Sequence, residues 1–179
     1  MATLEEQKKF LEEDLRDALR WLFVGAVAWH APDKAERCPN QKALAMFTSL
    51  VQARALYDFF YNKKGQIDDA LAFQFAPTWT EDGSKNPLYS KYMASRMPAN
   101  KRVFHLVYDR SAHAGGTGDD GPDHLKNQVL KFAQDLRRLT EAFGNCVEPH
   151  FRDIIQSALR KALDQAECAA NVYGIANPL

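Results

Sequence analysis

The chain has 179 residues, 46% apolar and 26% charged, with 23 Lys plus Arg against 23 Asp plus Glu. A chain this long can bury roughly 70% of its unfolded surface, and its zero net charge excludes a dedicated, strongly basic nucleic-acid binder while leaving room for a local patch. Nine Gly and eight Pro exclude collagen-like and low-complexity chains. The expectation is one soluble, all-α domain over residues 1–179.

The opening Met1-Ala2-Thr3-Leu4-Glu5-Glu6-Gln7-Lys8-Lys9 is charged and has no apolar stretch of the secretory kind. The longest apolar run, Trp21 to Trp29, is far short of the about 20 residues that cross a bilayer. Cys38, Cys146 and Cys168 are odd in number and lack C-x-x-C spacing. No disulfide framework and a cytoplasmic location are therefore expected.

Thr3 and Glu6 are spaced as a capping box. Behind them Leu4, Leu11, Leu15, Leu19, Leu22, Ala26 and Trp29 recur at helical steps, which predicts a long helix ending before Pro32. A second helix is expected from about Asn40 to Asn62, with Ala43, Met46, Phe47, Leu50, Ala53, Tyr57 and Phe60 as its apolar face and Lys63-Lys64-Gly65 as its stop. Residues 68–73 read as a short helix, 75–79 as extended or turn-like, and 81–84 as a loop. A helix is plausible over 87–97 and another from Pro98.

The run Arg102 to Tyr108 has strand-favouring residues but no strand of comparable strength to pair with, so it too is read as helix. Four glycines between residues 114 and 121 predict a loop. From Pro122, the steps Leu125, Val129, Phe132, Leu136, Leu139 and Phe143 predict a helix that Gly144 ends. A last helix starts near Pro149 and carries Phe151, Ile155, Ala158, Ala162, Ala166, Ala169 and Tyr173. Four long stripes can bury themselves only against one another, hence a helical bundle with shorter helices in the middle.

Two groups of polar residues fall where a bundle would not want them. Arg54 follows Phe47 by seven and Leu50 by four, so it lies on the apolar face of the second helix, with Asp58 one turn on. Either this is a structural pair or a rim arginine, or it is a cation held in a cleft for an anion. The second group is Asn100, Lys101, Arg102, His105, Tyr108 and Arg110. On a helix Lys101, His105 and Tyr108 share a face, and Asn100 and His105 are about 140° apart. A histidine among cations suits proton transfer on a phosphodiester; the plainer reading is a satisfied interface histidine beside solvated charges. His113, Asp119, Asp120 and His124 flank the glycine loop and have the side-chain types of a divalent-metal site. They lack a helical His-x-x-x-His, and no metal or other cofactor is expected. No P-loop, dinucleotide fingerprint or nucleophile elbow is present.

The stretch Ala53-Arg54-Ala55-Leu56-Tyr57-Asp58-Phe59-Phe60, then Trp79, then Asn100-Lys101-Arg102-Val103-Phe104-His105-Leu106, resembles a group of bacterial helical proteins and, through them, the abortive-infection branch of the HEPN superfamily. The resemblance covers roughly residues 40–145. It implies an all-α bundle that dimerises. In active members it also implies metal-independent endoribonuclease chemistry, in which a 2′-hydroxyl attacks the neighbouring phosphate. His105 matches the signature histidine, and Asn100 stands where the signature has arginine. Arg102, Arg110 or Arg54 are the remaining sources of positive charge.

Two functions are therefore expected. One is an RNA-directed HEPN-like protein in phage defence, working as a homodimer, with His105, Asn100 and Arg102 as its catalytic candidates and Arg54, Asp58, Lys101, Tyr108 and Arg110 as its binding candidates. The alternative is a non-enzymatic helical adaptor that holds a protein or small ligand in an inter-helix groove, with Tyr89, Tyr92, Met93 and Met97 as a candidate apolar patch.

Overall fold

The computed structural model describes residues 3–32, 39–62, 70–93 and 128–179. The Thr3 hydroxyl caps the first helix by accepting from the Glu6 backbone N–H at 3.3 Å, while the Glu6 carboxylate accepts from the Thr3 N–H at 2.7 Å. Helix α1 (Leu4–Lys9) continues through a π-helical segment, Phe10–Leu15, into α2 (Arg16–His30). The predicted stripe is buried at Leu11, Leu15, Leu19, Leu22 and Ala26. Leu4, counted with it, is 48% exposed.

Helix α3 (Pro39–Tyr61) runs one residue short of its expected end. Met46, Leu50, Ala53, Tyr57 and Phe60 are buried as the spacing predicts, and Leu56 and Phe59 are buried besides. The buried arc is wider than one stripe because α3 meets partners on more than one side: α2, helix α4 (Ala72–Phe75) and helix α5 (Val129–Cys146). The α2–α3 contact is close. A Cβ at Gly25 would sit 2.5 Å from Ser49 Oγ and 2.7 Å from the Ala45 carbonyl oxygen. Ser49 Oγ itself donates to the Leu22 carbonyl at 2.8 Å, so a buried hydroxyl is satisfied across the interface.

The short helix α4 is shorter than expected and begins later, and a turn at residues 77–78 follows it. A 3₁₀ turn (Gly83–Lys85) overlaps the end of the expected loop, and Tyr89–Met93 is π-helical. Helix α5 runs two residues past Gly144 and buries Val129, Phe132, Leu136, Leu139 and Phe143. Pro149 sits in the first turn of helix α6 (Pro149–Tyr173), where its missing N–H removes no helical bond. Gly174, at φ 64°, closes α6 in the left-handed conformation. Ala158, Ala162, Ala166 and Ala170 are all buried on α6, and their small size lets α6 lie against α2.

The fold is all-α, with no strand among the described residues. No described helix is long and apolar enough to cross a membrane. The helix expected from Pro98, the run Arg102 to Tyr108 read as helix, the glycine loop, and residues Leu125 and Cys38 lie outside the described residues.

Candidate functional site

The C-terminal half of α3 holds most of the residues singled out between positions 53 and 79, and the structure sorts them into two kinds. The aromatic ones are core. Phe59 and Phe60 lie 5.4 Å and 5.6 Å from Phe143 between ring centroids. Trp79 packs edge-on against the same Phe143 ring at 5.4 Å, and its indole N–H donates to the Phe60 carbonyl at 2.8 Å. The Phe pair and the distant Trp thus meet as one cluster that seals the end of α3 against α5.

Arg54 and Asp58 are the polar ones. Arg54 Nε donates to Asp58 Oδ2 at 2.5 Å, with the arginine side chain 14% exposed and the aspartate 30%. Burial and the nearby Asp58 charge push the Tyr89 phenol above its ordinary pKa, with Arg54 opposing. Tyr89, expected in an apolar surface patch, is half-buried, with its ring 4.9 Å from Tyr61 and 5.6 Å from Tyr57.

A second polar cluster is built on Asp135, whose side chain is 13% exposed. One of its oxygens, Oδ2, accepts from Tyr57 Oη at 2.8 Å and Asn86 Nδ2 at 2.6 Å, and the other, Oδ1, from an Arg138 guanidinium nitrogen at 2.9 Å. Asn86 Nδ2 also donates to Tyr61 Oη at 2.9 Å, and Asn86 Oδ1 accepts from the backbone N–H groups of Leu88 and Tyr89. The amide therefore uses all its capacity and fixes the chain as it enters residues 88–89.

Burial, reinforced by the Asp135 charge, holds the Tyr57 phenol well above its ordinary pKa. Burial likewise pushes Tyr61 up to about 12. Arg138 is held more firmly protonated by its bond to Asp135. Both tyrosines stay neutral through the physiological range, Tyr57 donating to Asp135 and Tyr61 accepting from Asn86.

The sequence reading missed the Asp135 cluster. Its trace was there: Asp135 is three residues after Phe132 and four before Leu139, at the edge of the α5 stripe. The spacing of α3 places Tyr57 on the apolar face, which holds for its ring and says nothing of its hydroxyl.

Two cavities flank the end of α3. The larger, about 460 Å³, is a groove whose walls include Phe10, Leu15 and Ala18 on one side and Leu56, Phe59 and Leu71 on the other; its charged lining residues are Asp14 and Asp58. The smaller, about 240 Å³, is lined by Phe60, Tyr61, Asn62, Phe73, Trp79 and Glu81. Asp135 lines neither.

Asn100, Lys101, Arg102, His105, Tyr108 and Arg110 lie outside the described residues, as do His113, Asp119, Asp120 and His124. Among the described residues no three His, Cys, Asp or Glu side chains are grouped to hold a metal ion. No protein-family model, curated protein or solved structure matches the chain.

Proposed function

We propose that this chain is a non-enzymatic helical binding module that takes an apolar group of its partner in the groove between the N-terminal helix and α3. The observation that carries the reading is the groove itself. At about 460 Å³, walled by aromatic and aliphatic side chains with a few polar ones, it has the size and character of ligand sites, which run about 300–1,000 Å³. Its charged lining residues among those described are carboxylates, Asp14 and the Arg54-paired Asp58, which favours an apolar group over a phosphate-bearing polymer. The free, exposed thiols of Cys146 and Cys168 support a cytoplasmic setting, where thiols stay reduced.

The test is binding of a neutral apolar dye, Nile red, to the wild-type chain and to Ala55→Trp. Ala55 lines the groove and is exposed, so the variant should fold. Saturable dye fluorescence that falls several-fold in Ala55→Trp, with an unchanged melting temperature, is expected. Equal dye binding by both proteins removes the groove reading.

A second reading, an RNA-directed HEPN-like protein that pairs with a second copy of itself, is favoured by Arg54. A guanidinium only 14% exposed on α3 is uncommon in a bundle core, and it lies within the segment that carries the resemblance. Total RNA incubated in EDTA at low salt, beside His105→Ala and Arg54→Met, tests it. Cleavage or retention that the variants lose supports it. An absence of both at low salt, where phosphate contacts are strongest, removes it.

A further inference from the structure

The smaller cavity differs in chemistry from the groove. Among the described residues its lining is mostly aromatic, with Phe60, Tyr61, Phe73 and Trp79 beside Asn62 and Glu81. At about 240 Å³ it is below the usual range for a whole drug-sized ligand, about 300–1,000 Å³, and suits a head group.

Trp79 and Tyr61 are fixed and neutral. Trp79 has its N–H bonded to the Phe60 carbonyl at 2.8 Å and its ring set against Phe143 at 5.4 Å, so the indole offers the cavity only carbon and π surface. Tyr61 has its hydroxyl engaged by Asn86 at 2.9 Å, and burial keeps that phenol protonated. Phe73 is 39% exposed, although a phenyl ring on so short a helix would gain from burial.

Among the described lining residues the one charged side chain is Glu81. Glu81 is exposed and makes no hydrogen bond or ion pair among the described residues. The cation that senses it, Arg138, is bound to Asp135 at 2.9 Å. Among the described lining residues, one carboxylate therefore stands beside four aromatic side chains. Hydrated metal ions need several oxygen ligands, which one carboxylate and one amide do not supply, and an anion would be repelled by both the carboxylate and the negative faces of the rings.

We propose that this cavity is a binding site for an organic cation, a quaternary or alkylated ammonium head group. Phe73, Trp79, Phe60 and Tyr61 contact its methyl groups, and Glu81 balances its charge. Aromatic surface around a weakly hydrated cation is the general solution for such ligands, because the rings attract the charge without having to displace a tight water shell. The site adjoins the groove at Asn62 but has its own aromatic lining, and the proposal does not depend on the groove.

The experiment is a titration of the full chain with choline chloride, followed through the indole N–H proton signals, beside the uncharged isostere 3,3-dimethylbutan-1-ol. Saturable choline binding with Kd of about 1 mM is expected, with the isostere weaker by roughly tenfold or more. Glu81→Gln and Phe73→Ala change exposed side chains, and each should weaken choline binding by roughly tenfold while leaving the isostere little changed in the first case and weaker in the second. A peptide carrying trimethyl-lysine distinguishes the source: tighter binding than choline assigns the head group to a modified protein, and equal binding assigns it to a free solute. No saturable shift with choline, equal binding of the isostere, or unchanged affinity in Glu81→Gln overturns the proposal. The last holds even if Phe73→Ala fails to fold.

Discussion

The two carboxylate–guanidinium pairs near the end of α3 are arranged inside out with respect to each other. At Asp135 the carboxylate is the inner partner, 13% exposed, and Arg138 is the outer one, 71% exposed. At Arg54 the guanidinium is the inner partner, 14% exposed, and Asp58 is the more open one at 30%. The inner carboxylate is surrounded by neutral donors, Tyr57 and Asn86, that need it as much as it needs them. The inner guanidinium depends on an opposite charge from its own helix. The same two functional groups thus do different work: Asp135 ties three chain segments together, and Asp58 keeps a cation tolerable inside α3.

The largest expected effect follows from removing the inner carboxylate. Asp135→Ala strands the Tyr57 hydroxyl and one Asn86 proton in surroundings where both residues are almost fully buried. A buried donor left unpaired costs about 1–3 kcal/mol, so a total loss of about 3–5 kcal/mol is expected, read by chemical denaturation. A loss under about 1 kcal/mol would mean that water reaches the cluster as it reaches an exposed ion pair. Asp58→Ala comes next. It removes the carboxylate 2.5 Å from a guanidinium that water hardly reaches. Breaking a fully buried pair costs about 3–5 kcal/mol and an exposed one under about 1. The partial exposure of Asp58 puts the expectation at about 1–3 kcal/mol, and Arg54→Met in the same background should recover part of it.

This contrast also marks what the sequence could tell. Arg54 on the apolar face with Asp58 one turn away was legible, because both residues belong to one helix and their spacing is set by 3.6 residues per turn. The core of α5 and α6 was legible for the same reason: Phe132, Leu136, Leu139 and Phe143, or Ala158, Ala162 and Ala166, announce a face by period alone. The Asp135 cluster was not. Its neutral donors, Asn86 and Tyr57, are 49 and 78 residues from Asp135 along the chain, and no local period encodes a contact of that kind. Gly25 is a similar case. Its role shows only when Ser49 and Ala45 arrive from α3, whereas in the sequence it looks like a weak point in a helix. The groove is likewise made by segments remote in sequence, and the described lining of the aromatic pocket, though all within residues 60–81, follows no single helical period, so neither leaves a motif.

A smaller effect, with a pH signature, separates Tyr57 from its partners. Tyr57→Phe keeps the buried ring and removes one donor to Asp135, so about 1 kcal/mol is expected near neutral pH. The phenol pKa is raised in the folded chain by burial first and the Asp135 charge second, and Tyr61 is raised to about 12, again by burial. A phenol raised above its unfolded value keeps the folded chain holding a proton that the unfolded chain releases. Its contribution is complete below about pH 10 and is lost as the pH rises above it. The wild-type chain should lose stability steeply from about pH 10 toward 12, and Tyr57→Phe should lose it less steeply. Parallel alkaline melts of the two proteins would show that Tyr57 ionises as freely as a surface tyrosine.

The smallest expected effect is the one that distance alone would overrate. Arg138 bonds Asp135 at 2.9 Å, as close as Tyr57 does, and bond length gives no reason to rank the two differently. Exposure does. At 71% exposed, Arg138 gives up little hydration in forming the pair, and a departing guanidinium is replaced at once by water at Asp135 Oδ1. Arg138→Ala should therefore cost under about 1 kcal/mol, and the cost should shrink further in high salt, while the Asp135→Ala loss should hardly respond to salt because its stranded donors are neutral. If denaturation in low and high salt finds Arg138→Ala as costly as Asp135→Ala, the guanidinium is the inner support of the cluster after all, and the inside-out relation between the two pairs fails.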